Sequence, residues 1–283
     1  MKRIAGIAAG MLLFLAAFIL TLYPLISDYV NTKYQSEVHT AYEEAIAQVD
    51  NSAIEEARGK AEQYNLALSS GLVDAFSQAA IQNAAQEYDS LLNVNEDGIM
   101  GYIRIPKIDV ELPILHGTEG DTLEQGVGHV LGSSLPVGGV STHTVLSAHS
   151  GMASQRMFTD LDQLESGDVF YLQVLGETLA YQVDDINVVL PHESQLLQIT
   201  KDVDGCTLVT CTPYGVNTHR LLVHGIRIPY EEAEMIAEET KKEEVQSTWQ
   251  RQYVRGLIVG GVSAVYLLLE FLIAWIIWRR RYE

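Results

Sequence analysis

From Asn31 to about Leu68 the chain is charged, rich in Ala and free of Pro, as in YQSEVHTAYEEAIAQVDNSAIEEARGKAEQYNLAL. Its apolar positions recur every three or four residues, a period that predicts one or two amphipathic helices. SSGLVDAF, Ser69 to Phe76, interrupts this pattern, and a second helical patch, SQAAIQNAAQEYDSLL, follows. After a turn at NVNEDG the period changes. GYIRIPKIDVELPIL (Gly101 to Leu115), HTVLSAH, DVFYLQVL, TLAYQVDDINVVL, CTLVTC and HRLLVHGIRIPY are short runs rich in Val, Ile, Leu and Tyr. Gly176 and Glu177 suit a tight turn between two of them. Many short strands with little helix between them predict a mainly β fold, a closed barrel or a sandwich. The acidic run EEAEMIAEETKKEEVQ (231–246) reads as a helix or a solvated linker, and no internal repeat is present.

Two segments break with this soluble patterning. IAGIAAGMLLFLAAFILTLY, Ile4 to Tyr23, is uncharged and follows Lys2 and Arg3; GLIVGGVSAVYLLLEFLIAWIIW, Gly256 to Trp278, precedes Arg279, Arg280 and Arg281. Each has the length that crosses a hydrocarbon core of ~30 Å as a helix. Basic flanks favour the cytoplasm, so both termini are expected inside and the chain between them outside. A signal peptide is the rival reading of the first segment. Its apolar core exceeds the usual ~7–15 residues, and PLISDYV after it offers no small-x-small cleavage site. Glu270 within the second segment reads as a carboxylate near the cytoplasmic end, protonated or paired with the arginines.

Charge narrows the partners. The formal net charge is -19, which disfavours electrostatic binding to nucleic acid or anionic lipid headgroups. The acidic excess falls between the two apolar segments, so the outer part is expected to be soluble. An exported region favours disulfides, yet the chain has only Cys206 and Cys211. On one strand their Cα atoms would lie ~16 Å apart, far outside disulfide reach. A spacing of five also puts them on opposite strand faces, one toward a core and one out. Free thiols on an exported protein call for an explanation.

A cysteine nucleophile needs a proton-handling partner and a group that stabilises an oxyanion. His116, His129, His143, His149, His192, His219 and His224 are all candidates for the first role. Arg220 is one of few cations and lies nine residues after Cys211, so a strand–loop–strand hairpin would set the two side by side. The bland alternatives are a buried strand cysteine, a hydrogen-bonded structural histidine and an Arg220 paired with a surface carboxylate. No zinc-type Cys/His spacing or EF-hand loop is present.

TLVTC (Thr207 to Cys211) followed by His219 and Arg220 resembles the signature of sortases, the cysteine transpeptidases of Gram-positive cell surfaces. MGYIRIPKIDVELPILHGT, GVGHVLGSSLPVGG, STHTVLSAHSGM and MFTDLDQLESGDVFY are similar to sortase sequence as well. With two apolar anchors, the layout resembles class C, the pilin-polymerising branch, over residues from about 70 to 230. The resemblance implies a closed sortase-type β-barrel with N-terminal helices, flanked by two transmembrane helices. Its segments would be an anchor at 1–30, a helical segment at 31–100 with a lid-like loop at 69–76, the catalytic barrel at 101–230, an acidic linker at 231–255 and a C-terminal span with a basic tail at 256–283.

The resemblance also implies roles. Cys211 would be the nucleophile, His149 in LSAHSG the proton donor to the leaving amine, and Arg220 the group that orients substrate and stabilises the oxyanion. Cys206 would be core packing, His143 a structural neighbour, and His219 turned away from the site. The expected reaction cleaves an LPxTG-like sorting signal between Thr and Gly and joins the acyl group to a pilin lysine, with neither metal nor cofactor. Attachment of surface proteins to peptidoglycan and a non-catalytic surface scaffold are the alternatives. Class C sortases commonly carry an Asp-Pro-aromatic lid before the barrel. Here Asp74-Ala75-Phe76 stands at that place, with Asp74 positioned to pair with Arg220 and Phe76 to cover Cys211. Ala in place of Pro relaxes the backbone restraint and implies a more loosely held lid, with an ordinary helix–helix connection as the alternative.

Overall fold

The computed structural model describes residues 2–70, 88–152 and 155–240, and scattered helical positions between 254 and 279. It divides into two compact units, one of Met1–Tyr23 with Gln246–Glu283 and one of Pro24–Val245. In the first unit the described positions are helical, and the Arg279 guanidinium stands 5.5 Å over the Trp275 ring. Among the described residues no helix is long and apolar enough to cross a membrane.

The helical period at the start is realised as α1 (Lys2–Gln48) and α2 (Asn51–Ser69). Asp50 separates them. Its carboxylate accepts the Ser52 backbone N–H at 2.8 Å, an N-cap that satisfies one of the free donors at the start of α2. On α1, Tyr42 packs with Ile99 and Tyr102 on the outside of the barrel, and the His39 ring lies tilted against the Tyr102 ring with centroids 4.5 Å apart. On α2, buried Asn65 uses its whole amide. Its Nδ2 donates to the Leu135 carbonyl at 3.1 Å and its Oδ1 accepts the Leu135 N–H at 2.7 Å. That bond pair fixes the helix to the loop before β4.

Eight strands follow: β1 (Ile99–Ile105), β2 (Val110–His116), β3 (Val127–His129), β4 (Thr142–Ser147), β5 (Val169–Val174), β6 (Glu177–Val189), β7 (Asp204–Thr212) and β8 (His219–Ile228). They close in the order β1-β2-β3-β4-β7-β8-β6-β5, with β5 returning to β1. The barrel alternative is therefore the one adopted, which leaves no open sheet edge. The inward side chains form one core in which Ile103, Ile105, Ile114, Leu146, Leu172, Leu208 and Val223 are fully buried. Short α3 (Gly120–Gln125) precedes β3. β3 is a strand of only three residues, too short for its alternation to be visible in the sequence.

The β5–β6 turn falls one residue earlier than the sequence suggested. Val174 pairs with Glu177, so the two turn residues are Leu175 and Gly176, both at positive φ (51° and 78°). Positive φ at both central positions is the type I′ pattern, whose twist matches the strands, and Gly176 supplies only one of them freely. The acidic run takes its helical form as α4 (Tyr230–Thr240). Ala233 and Ala237 are buried against Val169, Tyr171 and Ala180, and Arg104 pairs with Glu234 at 3.1 Å.

Candidate active site

Strand parity decides what faces what along β7. Cys206 and Leu208 belong to the barrel core, whereas Val209 packs with Val145 and Leu222 in a separate cluster on the other face. Cys211 is two residues beyond Val209 and shares its face. Cys206 is completely buried, and burial, with Asp204 nearby, pushes its thiol well above the ordinary value. A thiol held protonated in an apolar core is inert. Cys211 is half-buried at the strand's end, and both cysteines are free.

β8 runs antiparallel to β7 with Cys211 opposite Arg220 and Val209 opposite Leu222. Arg220 therefore stands on the same face as Cys211, as the nine-residue hairpin spacing suggested. Its Nη1 donates to the carbonyls of His219 (3.1 Å) and Asn217 (3.4 Å), which draws the guanidinium along the hairpin. Among the described residues no carboxylate forms an ion pair with it. His219, one residue away, points to the opposite side and meets the Thr218 hydroxyl at 2.9 Å.

His149 arrives from the other side of β7. β4 is parallel to β7 with Ser147 opposite Val209. The alignment continues past the strand, because Ala148 N–H donates to the Val209 carbonyl at 3.1 Å and the Thr210 hydroxyl donates to the Ala148 carbonyl at 2.8 Å. His149 follows two residues past the end of β4, at the end of β7 that carries Cys211. Thiol and guanidinium thus share one face on neighbouring strands, and the segment after β4 brings His149 to the same end of the barrel. The floor below them is apolar: Val145, Val209 and Leu222, with Val189 and Leu197 at its edge. These floor residues were missed in the sequence, although their signal is simple, since each of the first three lies an even number of residues from a member of the trio.

The other histidines are otherwise engaged. His143 is buried, with Nδ1 at 2.9 Å from the Gln198 carbonyl and Nε2 at 2.6 Å from the Thr207 hydroxyl. Burial lowers its basicity. His129 is fully buried between the Tyr88 hydroxyl (2.8 Å) and the Ser134 carbonyl (2.9 Å), and burial pulls its pKa down to about 4. His116 bonds to the Leu91 and Gly98 carbonyls, and His224 to Asp184 at 2.6 Å. His192 is exposed in the loop after β6. Asp74 and Phe76 lie outside the described residues. Among the described residues no group of His, Cys, Asp and Glu could hold a metal ion.

Family comparison bears on this geometry. A sortase domain model matches residues 103–228, a span that contains all three side chains and their strands. Sortase C of Streptococcus pneumoniae, solved by crystallography, is 42% identical with a TM-score of 0.61, covering 69% of this chain and 97% of that one. The chain belongs to the sortase family. Clostridium perfringens sortase C, solved with the C-terminal cell wall sorting motif, is also 42% identical, with a TM-score of 0.59 over 69% of this chain and 99% of that one. Both are sortases C, and this sortase falls in their class. Sortase D of Bacillus subtilis is 30% identical over 131 residues, which are 45% of this chain and 63% of that protein. The chain thus spans under two thirds of the length of that curated relative.

Proposed function

We propose that this sortase is a membrane-anchored cysteine transpeptidase of the cell surface that polymerises pilins. The observation that carries the reading is the register that sets Cys211 opposite Arg220, with His149 following β4 at the same end of the barrel. The Cys211 thiolate attacks the Thr carbonyl carbon of an LPxTG-like sorting signal. Arg220 donates hydrogen bonds to the oxyanion that develops, over an apolar floor where such bonds are strong. As the tetrahedral intermediate collapses, the C–N bond breaks and His149 protonates the leaving Gly amine. The thioester then accepts a pilin lysine amine, which forms the isopeptide bond and returns the thiol. Amide exchange through a covalent intermediate conserves the bond energy and needs no ATP.

The sorting signal is supported by the C. perfringens sortase C solved with such a motif, and the pilin by the link of the S. pneumoniae sortase C structure to pilin substrate specificity. Anchoring is supported by the two uncharged or nearly uncharged runs and their basic flanks. The full chain in detergent, mixed with a pilin bearing a sorting signal, is expected to yield a ladder of covalent multimers, absent with Cys211→Ala. Cleaved monomer alone would reject polymerisation and leave attachment to peptidoglycan or hydrolysis. Multimers that persist in Cys211→Ala would reject the enzyme.

A further inference from the structure

The segment that carries His149 is held by groups that lie outside the trio. After His149 the chain leaves the end of β4 and returns at Phe158, whose N–H donates to the His149 carbonyl at 3.0 Å. Gly151 N–H donates to the Thr159 hydroxyl at 2.9 Å and closes the same segment a second time. Phe158 is fully buried in the barrel core, so the returning end is fixed. Met157, immediately before it, is buried with a φ of 46°. A residue with a Cβ holds this left-handed conformation only where its surroundings enforce it.

The two residues before Met157 are held from α1. Arg156 Nε lies 3.3 Å from Asp28 Oδ2, with the two side chains only 25% and 13% exposed. Gln35 Nε2 donates to Gln155 Oε1 at 3.0 Å. Asp28 and Gln35 are seven residues apart, two turns of α1, and therefore occupy one stripe of the helix. From the other side Gln155 Nε2 donates to the Glu124 carbonyl at the end of α3. Residues 155 and 156 are gripped by two helices, directly before the strained Met157 and the Phe158 bond to His149.

We propose that Asp28 and Gln35, acting through Arg156 and Gln155, are positioning residues for His149. The proposal rests on His149 being the proton donor of the reaction above. A shielded carboxylate–guanidinium pair loses more than its own attraction when one partner is removed, because the other is left poorly solvated. The 155–157 backbone then slackens, the Phe158 bond to the His149 carbonyl opens more often, and the imidazole shifts relative to Cys211. Displacements of this size in a reacting group are costly to turnover while leaving substrate binding intact.

The full chain in detergent is compared as parent, Asp28→Asn, Arg156→Gln, Arg156→Lys and the swapped pair Asp28→Arg with Arg156→Asp. In Asp28→Asn and Arg156→Gln, kcat for a sorting-signal peptide is expected to fall roughly ten-fold with KM within about two-fold. Hydrogen exchange at the Phe158 amide should accelerate in the same variants. Arg156→Lys keeps the charge and should stay close to the parent, and the swapped pair should recover most of both losses. Parental exchange at Phe158 in both single variants overturns the proposal, as does a loss of kcat that Arg156→Lys shares in full. If the parent turns over no peptide, the function proposed above falls, and exchange at Phe158 still decides the link between α1 and the His149 segment.

Discussion

Strands β4 and β7 lie side by side and carry a histidine and a cysteine at each end, with opposite fates. At one end His143 and Cys206 are sealed. The histidine spends both ring nitrogens on Gln198 and Thr207, and the thiol is enclosed in the barrel core. At the other end His149 and Cys211 stand half-buried where the strands stop. His143 lies inside β4, bonded to the Gln198 carbonyl and the Thr207 hydroxyl, whereas His149 lies two residues past the strand's end and is half-buried. The two cysteines are five apart, and for them orientation decides. In the proposed reaction the working residues therefore belong to one end of the barrel, and residue type alone does not assign them.

Replacing each member of these pairs breaks the comparison most directly. Cys211→Ala is expected to lower turnover by about 10⁴-fold or more, as removal of a covalent nucleophile does. Among the histidines, His149→Ala should cost roughly 10²–10⁴-fold in kcat with an unchanged melting temperature. His143→Ala should instead lose about 1–3 kcal/mol of stability by leaving the Thr207 hydroxyl and the Gln198 carbonyl without their partner, with the folded fraction still active. Urea unfolding monitored beside peptide cleavage separates the two outcomes. Arg220→Lys keeps the charge but loses the planar fork, and kcat should drop about 10²-fold.

Acid titration tests the sealed histidines as a class. His129 has a folded pKa of about 4, below its unfolded value near 6.5. The unfolded chain therefore binds the extra proton first. The stability this neutral histidine confers is fully present above about pH 6.5 and is lost as pH falls toward about 4, by about 3 kcal/mol. Burial shifts His143 in the same direction and adds to the slope. Unfolding free energies at pH 7 and pH 4.5 measure it, and His129→Gln should flatten it. The smallest effect is that of Cys206→Ala, at about 1–2 kcal/mol with turnover unchanged. Thiol labelling sharpens the same contrast: one equivalent, at Cys211, in the native protein and two after unfolding.

Much of this was legible one residue at a time. The three-to-four-residue period marked the described helices α1 and α2 from Asn31 to Leu68, and the alternating runs marked every described strand but β3, whose three residues carry no period. The odd spacing of Cys206 and Cys211 foretold opposite faces, and nine residues from Cys211 to Arg220 foretold a hairpin partner. The position of the β5–β6 turn was missed by one residue because Leu175 accepts a left-handed conformation that the sequence does not advertise. The apolar floor of Val145, Val209 and Leu222 was missed because its members come from β4, β7 and β8, and no local window contains all three.

The sequence by itself determined what is periodic or covalent: strand and helix type, the face each side chain takes within its own strand, the acidic balance and the two apolar runs. Those properties follow from backbone geometry repeated over neighbouring residues. Only the tertiary structure decided that His149 and Cys211, sixty-two positions apart in the numbering, come to the same end of the barrel through the parallel pairing of β4 with β7, and that α1 reaches Arg156 from residue 28. Pairing between distant strands and docking of a helix depend on how the barrel closes, and closure is a property of all eight strands together.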